Sequence, residues 1–175
     1  MTEKTIILDD KSMARAIARM AYQIIERNKG VENLTIVGIF SRGVEIAQRI
    51  AERIWEVEQK KIPVGFLDIT PHRDDIQPDS SYQDRTDIPF GYTGKTVVLV
   101  DDVMYTGRSV RAAIDALMEH GRPQSVQLAV LIDRGHRELP FRPDYIGKNV
   151  PTSKNEQIKV SVVERDGIDK VAIVG

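Results

Sequence analysis

Residues 97–110 read VVLVDDVMYTGRSV: four apolar residues, two adjacent carboxylates and, three residues later, a Thr-Gly-Arg-Ser turn. The apolar run is typical of a buried strand, and the residues after the turn repeat apolar side chains at helical spacing. In sheets built from strands and helices, ligands bind at the carboxyl ends of strands, where loops and helix N-termini meet. This stretch therefore predicts a binding site between a strand and a helix.

The turn is suited to a phosphate group. It places backbone N–H groups and the hydroxyls of Thr106 and Ser109 at a helix start, and Gly107 lets the backbone approach a ligand closely. The carboxylates of Asp101 and Asp102 would repel a phosphate, but they are suited to sugar hydroxyls or to Mg²⁺. Together these residues predict a sugar phosphate as the ligand.

Paired carboxylates after a strand also occur in three different contexts, which fit this stretch less well. A P-loop hydrolase would place acids after an apolar strand, but the earlier glycine that its motif requires falls at Pro89, and Gly94-Lys95-Thr96 precedes a strand instead of opening a helix. The phospho-acceptor aspartate of a receiver domain leaves the turn without a role. A capped helix after a strand accounts for the turn alone and gives the carboxylates no function.

The rest of the chain alternates strand and helix patterns, which predicts an α/β fold with a mainly parallel sheet flanked by helices. A single domain is expected over residues 1–175. An irregular segment over 71–92, rich in Pro, Asp, Ser and Gln, is typical of a functional lid. The predicted helices are 9–29, 44–57 and 109–120, and the predicted strands are 34–39, 64–69, 96–100, 126–132, 158–163 and 171–174.

Composition narrows the class of protein further. The 175 residues have a formal net charge of −1 and include no Cys, which excludes disulfides and thiolate metal sites. No apolar run approaches the ~20 residues of a membrane span, and the N-terminus lacks the profile of a signal peptide. These features predict a cytoplasmic protein with no membrane partner.

Residues 97–110 resemble the phosphoribosyl-pyrophosphate (PRPP) signature of type I phosphoribosyltransferases. Three more stretches are similar to the PyrR family: IFSRG at 39–43, DITPHRDD at 68–75 and LAVLIDRGHRELPFRPDYIGKNVPTSK at 128–154. That family combines uracil phosphoribosyltransferase activity with mRNA binding that attenuates pyrimidine operons. The resemblance covers essentially the whole chain, and it implies the type I phosphoribosyltransferase fold with a small hood and a flexible loop.

The resemblance implies the reaction of uracil with PRPP to give UMP and pyrophosphate. It assigns catalytic roles to Asp101, Asp102, Arg42 and Arg73, with Arg73 on the lid and Mg²⁺ carried by PRPP and pyrophosphate without a direct protein ligand. Uracil recognition is expected from Arg134 and an apolar wall at Ile158. The full set of expected substrate-binding residues is Ser41, Arg42, Gly43, Asp101, Asp102, Val103, Met104, Tyr105, Thr106, Gly107, Arg108, Ser109, Arg134 and Ile158.

The same resemblance implies a second partner, the leader mRNA of a pyrimidine operon. Residues 133–159 contain six Lys or Arg against four acids, a mild excess that alone favours a solvated surface. UMP is expected to favour RNA binding, and a homodimer and a homotetramer both remain open. The expected RNA-binding residues are Arg19, Arg27, His136, Arg137, Arg142 and Lys148.

Two alternative functions stay open at the level of sequence. The chain could be another type I phosphoribosyltransferase that acts on a purine base or on orotate. It could also be a non-catalytic RNA-binding regulator that uses the nucleotide pocket as a sensor.

Overall fold

The apolar run and acid pair of the stretch 97–110 lie in the central strand of a five-stranded parallel sheet in the computed structural model, which describes residues 2–175. The strands stand in the order β3-β2-β4-β5-β6. Central strands of such a sheet are covered on both faces, which explains their nearly continuous apolar runs. The strands are β2 (Leu34–Ile39), β3 (Val64–Leu67), β4 (Thr96–Met104), β5 (Ser125–Asp133) and β6 (Tyr145–Asn149).

Helices cover the two faces of this sheet. Helices α1 (Asp10–Arg27) and α2 (Gly43–Glu58) pack on one face, where Val98 and Val100 of β4 point, and α3 (Arg108–His120) packs on the other, against Val97 and Leu99. The alternation along β4 follows from the period of two residues in a strand. The predicted fold class is confirmed.

A second, three-stranded sheet forms the small hood. It consists of β1 (Glu3–Leu8), β7 (Gln157–Ser161) and β8 (Lys170–Val174) in the antiparallel order β1-β8-β7. The short helix α4 (Val163–Asp166) joins β7 to β8. Within residues 2–175, no helix combines the length and the apolar composition needed to cross a bilayer.

Several boundaries differ from the sequence prediction. Strand β4 continues four residues past Val100, because its pairing with β5 extends to Met104 opposite Asp133. Strands β1 and β6 and helix α4 were not predicted. Strand β3 ends at Leu67 and β7 at Ser161, each two residues before the predicted end.

The segment predicted to be irregular has little regular structure. A single turn of 3₁₀-helix covers Thr70–His72, and Phe66 and Asp87 exchange two backbone hydrogen bonds of 2.8 Å. That pair brings the two ends of the segment together beside β3. Residues 70–86 constitute the lid segment.

Candidate active site

The two adjacent carboxylates lie on the part of β4 that extends beyond its apolar run. Asp101 accepts a hydrogen bond from the backbone N–H of Asp102 at 2.8 Å, and Asp102 accepts one from Val103 at 2.7 Å. Burial raises the pKa of the Asp101 carboxyl, and the adjacent negative charge of Asp102 raises it further. The pair therefore combines one buried carboxylate with one more accessible to solvent.

Asp101 faces a cavity of about 270 Å³ that also contains the predicted phosphate-binding turn. Gly107 precedes α3 with φ of +96°, a left-handed conformation that glycine adopts at low cost. The first N–H groups of a helix have no partner within the helix. Here the N–H of Arg108 donates to the Thr106 hydroxyl at 3.2 Å, and that hydroxyl can in turn donate to an anion. The cavity is lined by Arg73, Asp75, Asp101, Val103, Met104, Tyr105, Thr106, Gly107, Arg108, Ser109, Val110 and Val130.

The carbonyl side of this turn is held by the segment that follows β5. The carbonyls of Met104, Tyr105 and Thr106 accept hydrogen bonds from this segment at 2.8–3.1 Å. The donors are the backbone N–H groups of Arg134, Glu138 and Leu139 and the guanidinium of Arg137. Because these carbonyls are bonded to protein, the turn presents its N–H groups and hydroxyls to the cavity.

A second cavity, of about 470 Å³, lies between β4 and the hood and contains Asp102, Arg42 and Ile158. Arg42 forms a bidentate ion pair with Asp166 of α4, with N–O distances of 3.1 and 2.8 Å. This pair lowers the pKa of Asp166 to about 2. The remaining lining residues are Glu3, Gln157, Lys159, Val160 and Val174.

The turn Ser41-Arg42-Gly43 brings the start of α2 against β4. A Cβ atom at Gly43 would lie 2.5 Å from the carbonyl oxygen of Val100, so only glycine permits this approach. The backbone of the turn is consequently held next to Asp101, whose Cα would lie 3.1 Å from the same Cβ. The structure thus brings together the three sequence stretches 41–43, 101–102 and 106–109.

Arg73 reaches the smaller cavity from the lid segment. Its guanidinium is paired with Asp75 at 2.8 and 2.6 Å. Arg73 nevertheless lines the cavity with Asp101 and Thr106, so the ion pair leaves the side chain beside the site.

Arg134, the expected uracil-binding residue, is buried. Its guanidinium donates to the Thr152 hydroxyl at 2.9 Å and to the Glu156 carbonyl at 2.6 Å, and it lies 3.9 Å from the centre of the Tyr105 ring. These bonds direct the guanidinium towards the segment that leads into β7. Direct contact of Arg134 with uracil stays a prediction.

The expected RNA-binding residues are distributed along α1, β6 and the segment after β5. Arg19 donates to the carbonyl of Gly147, next to Lys148, and Arg27 pairs with Asp144 at 2.7 Å. Arg142 and Lys148 are exposed. His136 contacts the Thr152 carbonyl, and Arg137 donates to the Phe141 carbonyl and to Asp133.

Sequence reasoning missed three charged residues near the site. Lys159 and Asp166 lie on the hood, and Asp68 lies at the end of β3. Asp68 opens the stretch 68–75, but its partner Arg85 lies outside that stretch, and Asp166 pairs with the distant Arg42, so local sequence does not indicate the role of either residue.

The residues of this site that could interact with a magnesium ion are the adjacent carboxylates of Asp101 and Asp102. Among residues 2–175, no group of three or more His, Cys, Asp or Glu side chains is placed to hold a metal ion. Two adjacent carboxylates with free oxygen lone pairs are, however, suited to hold the water or hydroxyl ligands of a Mg²⁺ ion that is bound to phosphates.

Comparison with known proteins agrees with this arrangement. Residues 3–165 match the model of the phosphoribosyl transferase domain family. The chain is 58% identical to the Bifunctional protein PyrR of Halalkalibacterium halodurans, with 96% of each chain covered. It is 55% identical to the Bifunctional protein PyrR of Bacillus mycoides, with 99% of this chain and 98% of the relative covered.

Solved structures with a similar fold are distant in sequence. A hypoxanthine-guanine phosphoribosyltransferase of Bacillus anthracis superposes with a TM-score of 0.73 at 18% identity, with both chains covered completely. A hypoxanthine phosphoribosyltransferase of Trypanosoma cruzi also gives 0.73, at 17% identity, covering 98% of this chain and 96% of that one. The fold is shared, the resemblance seen in the sequence is confirmed, and the chain belongs to the phosphoribosyltransferases and, among them, to the PyrR family.

Proposed function

We propose that the protein transfers the 5-phosphoribosyl group of PRPP to uracil, releasing UMP and pyrophosphate, and that it binds pyrimidine-operon leader mRNA in response to UMP. The two cavities on either side of Asp101 and Asp102 support the enzymatic part. The relatives' name, Bifunctional protein PyrR, supports the combination of two activities.

The 5-phosphate of the ribose binds in the smaller cavity. The N–H groups and hydroxyls of Thr106 and Ser109 hold it, and Gly107 permits close approach. Asp101 and Asp102 then accept hydrogen bonds from the two ribose hydroxyls. This places C1 of the sugar towards the larger cavity, since Asp102 lines that space.

Departure of pyrophosphate leaves an electron-poor ribose, so catalysis depends on positioning and on electrostatic stabilisation. Arg42 and the backbone of Ser41 and Gly43 bind the leaving pyrophosphate. Lys159 lines the same cavity and adds a second positive charge there. Mg²⁺ carried by PRPP would supply neutralisation of the negative charge on the phosphate oxygens, and Asp101 and Asp102 would hold its water or hydroxyl ligands.

The base lies against the hood. Ile158 supplies an apolar wall in the larger cavity. Arg134 positions the base site by holding the carbonyls of Ser153 and Glu156, immediately before β7. Arg73 approaches the pyrophosphate when the lid segment closes, and closure excludes water from the activated sugar.

The RNA-binding part rests on the basic residues of α1, β6 and the segment after β5. Exposed Arg142 and Lys148 contact phosphates, and Arg19, Arg27, His136 and Arg137 extend the surface. Such contacts give an affinity that falls with salt. Since Arg137, Glu138 and Leu139 are bonded to Tyr105 and Thr106, UMP bound at the phosphate-binding turn orders the neighbouring basic segment.

The observation that carries the enzymatic proposal is the position of Asp101 and Asp102, one in each cavity and next to the phosphate-binding turn. The test incubates the protein with Mg²⁺ and PRPP and measures pyrophosphate release with uracil, hypoxanthine, guanine or orotate. We expect turnover with uracil alone. Turnover with a purine base or with orotate would overturn the specificity, and no turnover with any base would favour the sensor.

A further inference from the structure

Asp68 is a buried carboxylate that stands outside both substrate cavities. It follows β3, only 2% of its surface is exposed, and its side chain accepts hydrogen bonds from both ends of the lid segment. The backbone N–H and hydroxyl of Thr70 donate to it at 3.1 and 2.7 Å. The backbone N–H and the Nε of Arg85 donate to it at 3.3 Å each.

The backbone of Asp68 also bonds the far end of the lid segment. Its N–H donates to the hydroxyl of Thr86 at 3.0 Å. Burial alone would raise the pKa of the Asp68 carboxyl, but its hydrogen bonds hold that pKa well below the usual range. The group is therefore charged throughout the physiological range, and its charge is compensated by donors from the two ends of one loop.

Arg85 extends the connection to the turn 41–43. Its guanidinium lies 4.4 Å from the centre of the Phe40 ring, a cation–π distance, and Phe40 immediately precedes Ser41. Phe40 in turn packs edge-on against Phe66 of β3. Together with the backbone pair Phe66–Asp87, the buried charge of Asp68 thus holds the two ends of the lid segment together and links them to the turn proposed to bind pyrophosphate.

We propose that Asp68 is a positioning residue for PRPP, which sets the geometry of the lid segment and, through Arg85 and Phe40, that of the turn 41–43. The inference rests on the proposed transferase function. Arg73 lies three residues from Thr70, so the anchor of Thr70 on Asp68 fixes where Arg73 can meet the smaller cavity. The ligand affected is PRPP, since base recognition is assigned to the opposite wall formed by β7.

The test compares Asp68→Asn, Asp68→Glu and Arg85→Ala with the control Asp84→Asn. Asp84 is an exposed acid of the same segment that bonds only its neighbour Thr86. We expect Asp68→Asn to raise KM for PRPP about tenfold, with KM for uracil changed less than about twofold. Arg85→Ala gives a smaller shift in the same direction, Asp68→Glu restores part of the PRPP affinity, and Asp84→Asn behaves as wild type.

Arg85→Ala tests the proposal even if the Asp68 variants fail to fold, because the Arg85 side chain is 54% exposed and its removal leaves the core intact. If Arg85→Ala and any folded Asp68 variant keep the wild-type KM for PRPP, the proposal is wrong. Equal changes in KM for PRPP and uracil would also overturn it, since they would indicate a general structural defect.

Hydrogen exchange separates this proposal from the transferase function. If wild-type protein turns over no base, the proposed function fails, while the amides of 70–86 still report on the anchor. We expect faster exchange over 70–86 in Asp68→Asn and unchanged exchange in β4 and β5. Unchanged exchange over 70–86 would overturn the anchoring role, whatever the activity.

Discussion

Asp101 and Asp102 are consecutive residues of one strand, yet their carboxylates line different cavities. Asp101 belongs to the space around the phosphate-binding turn, and Asp102 belongs to the space shared with Arg42 and the hood. Extension of β4 beyond Val100 produces this division, because side chains alternate along a strand. A ribose bound to both carboxylates, as proposed above, would therefore connect the two cavities.

Asp101→Asn should stabilise the folded protein and at the same time reduce its catalytic activity. Burial raises the pKa of Asp101, so the charged form is unfavourable in the folded protein at neutral pH. We expect the amide to raise Tm at pH 8, by about 2–4 °C for each kcal/mol gained, while kcat/KM falls about 10²-fold.

The pH dependence of the difference in Tm between wild type and Asp101→Asn tests whether burial destabilises the charged form of Asp101. A carboxyl with a raised folded-state pKa stabilises the fold when protonated, so the advantage of Asp101→Asn should shrink as the pH is lowered below the folded-state pKa. Asp102→Asn, at the less buried position, should lose activity without gaining Tm. A lower Tm for Asp101→Asn at pH 8 would contradict the prediction.

Asp166→Asn should change stability in acid. The ion pair with Arg42 lowers the pKa of Asp166 from 3.8 to about 2, so its contribution is present above about pH 4 and is lost as the pH falls towards 2. The difference in free energy of unfolding between wild type and Asp166→Asn should therefore be constant above pH 4 and shrink below it. Urea titrations at several pH values measure this difference.

Asp115→Asn, which removes an exposed ion pair on α3, serves as the control. If the difference in free energy of unfolding between wild type and Asp166→Asn stayed constant down to pH 2, the role of the ion pair would be refuted.

Gly107→Ala should weaken PRPP binding and the fold together. An alanine at φ of +96° costs about 1–2 kcal/mol, and its Cβ would lie 3.4 Å from the side chains of Leu139 and Phe141. The turn would rotate its N–H groups away from the phosphate, which raises KM for PRPP. Gly91→Ala is the matched control, since a Cβ there has no atom within 4 Å. Equal KM and Tm for the two variants would show that the turn geometry is unimportant.

Arg142→Ala and Lys148→Ala should weaken leader-RNA binding with little effect on uracil turnover. Both side chains are exposed, and loss of one phosphate contact should reduce the salt slope by about one. Gel-shift titrations at several salt concentrations measure the RNA affinity and its salt slope.

Arg137→Ala should differ from these two variants. Arg137 donates to the carbonyl of Tyr105 at 2.8 Å, inside the phosphate-binding turn, so its removal should lower turnover as well as RNA affinity. Wild-type turnover in Arg137→Ala would show that its bond to Tyr105 is not needed for catalysis, and it would leave only the RNA-binding role expected from sequence.

The parts of the fold with strong local signals could be predicted from sequence. The apolar run of β4, the helical spacing of α1 and the acid pair followed by the turn each lie within about twenty residues. Strand β6 was missed because its sequence YIGKN contains Gly147 and Asn149, which are uncommon in strands, and because it lies at a sheet edge. Strand β1 was missed because most of its residues are exposed and the strand depends on β8.

The candidate site, too, could be predicted only where its residues lie close together in sequence. Asp101, Asp102 and the turn were identified by their spacing, whereas Asp68 acquires its partners 17 residues later, at Arg85. The guanidinium of Arg134 was expected to meet uracil, but the structure engages it with residues 152–156, which no local pattern indicates.

The hood pairs the first strand of the chain with the last, Glu3 opposite Val174, and both residues line the cavity that contains Arg42 and Asp102. Strand β8 lies between β1 and β7, so the hood sheet forms only when segments far apart in sequence come together. Pairing over such a separation is slower than the formation of local structure. During folding, the cavity that contains Arg42 and Asp102 is therefore expected to close after the turn at 106–109 has formed.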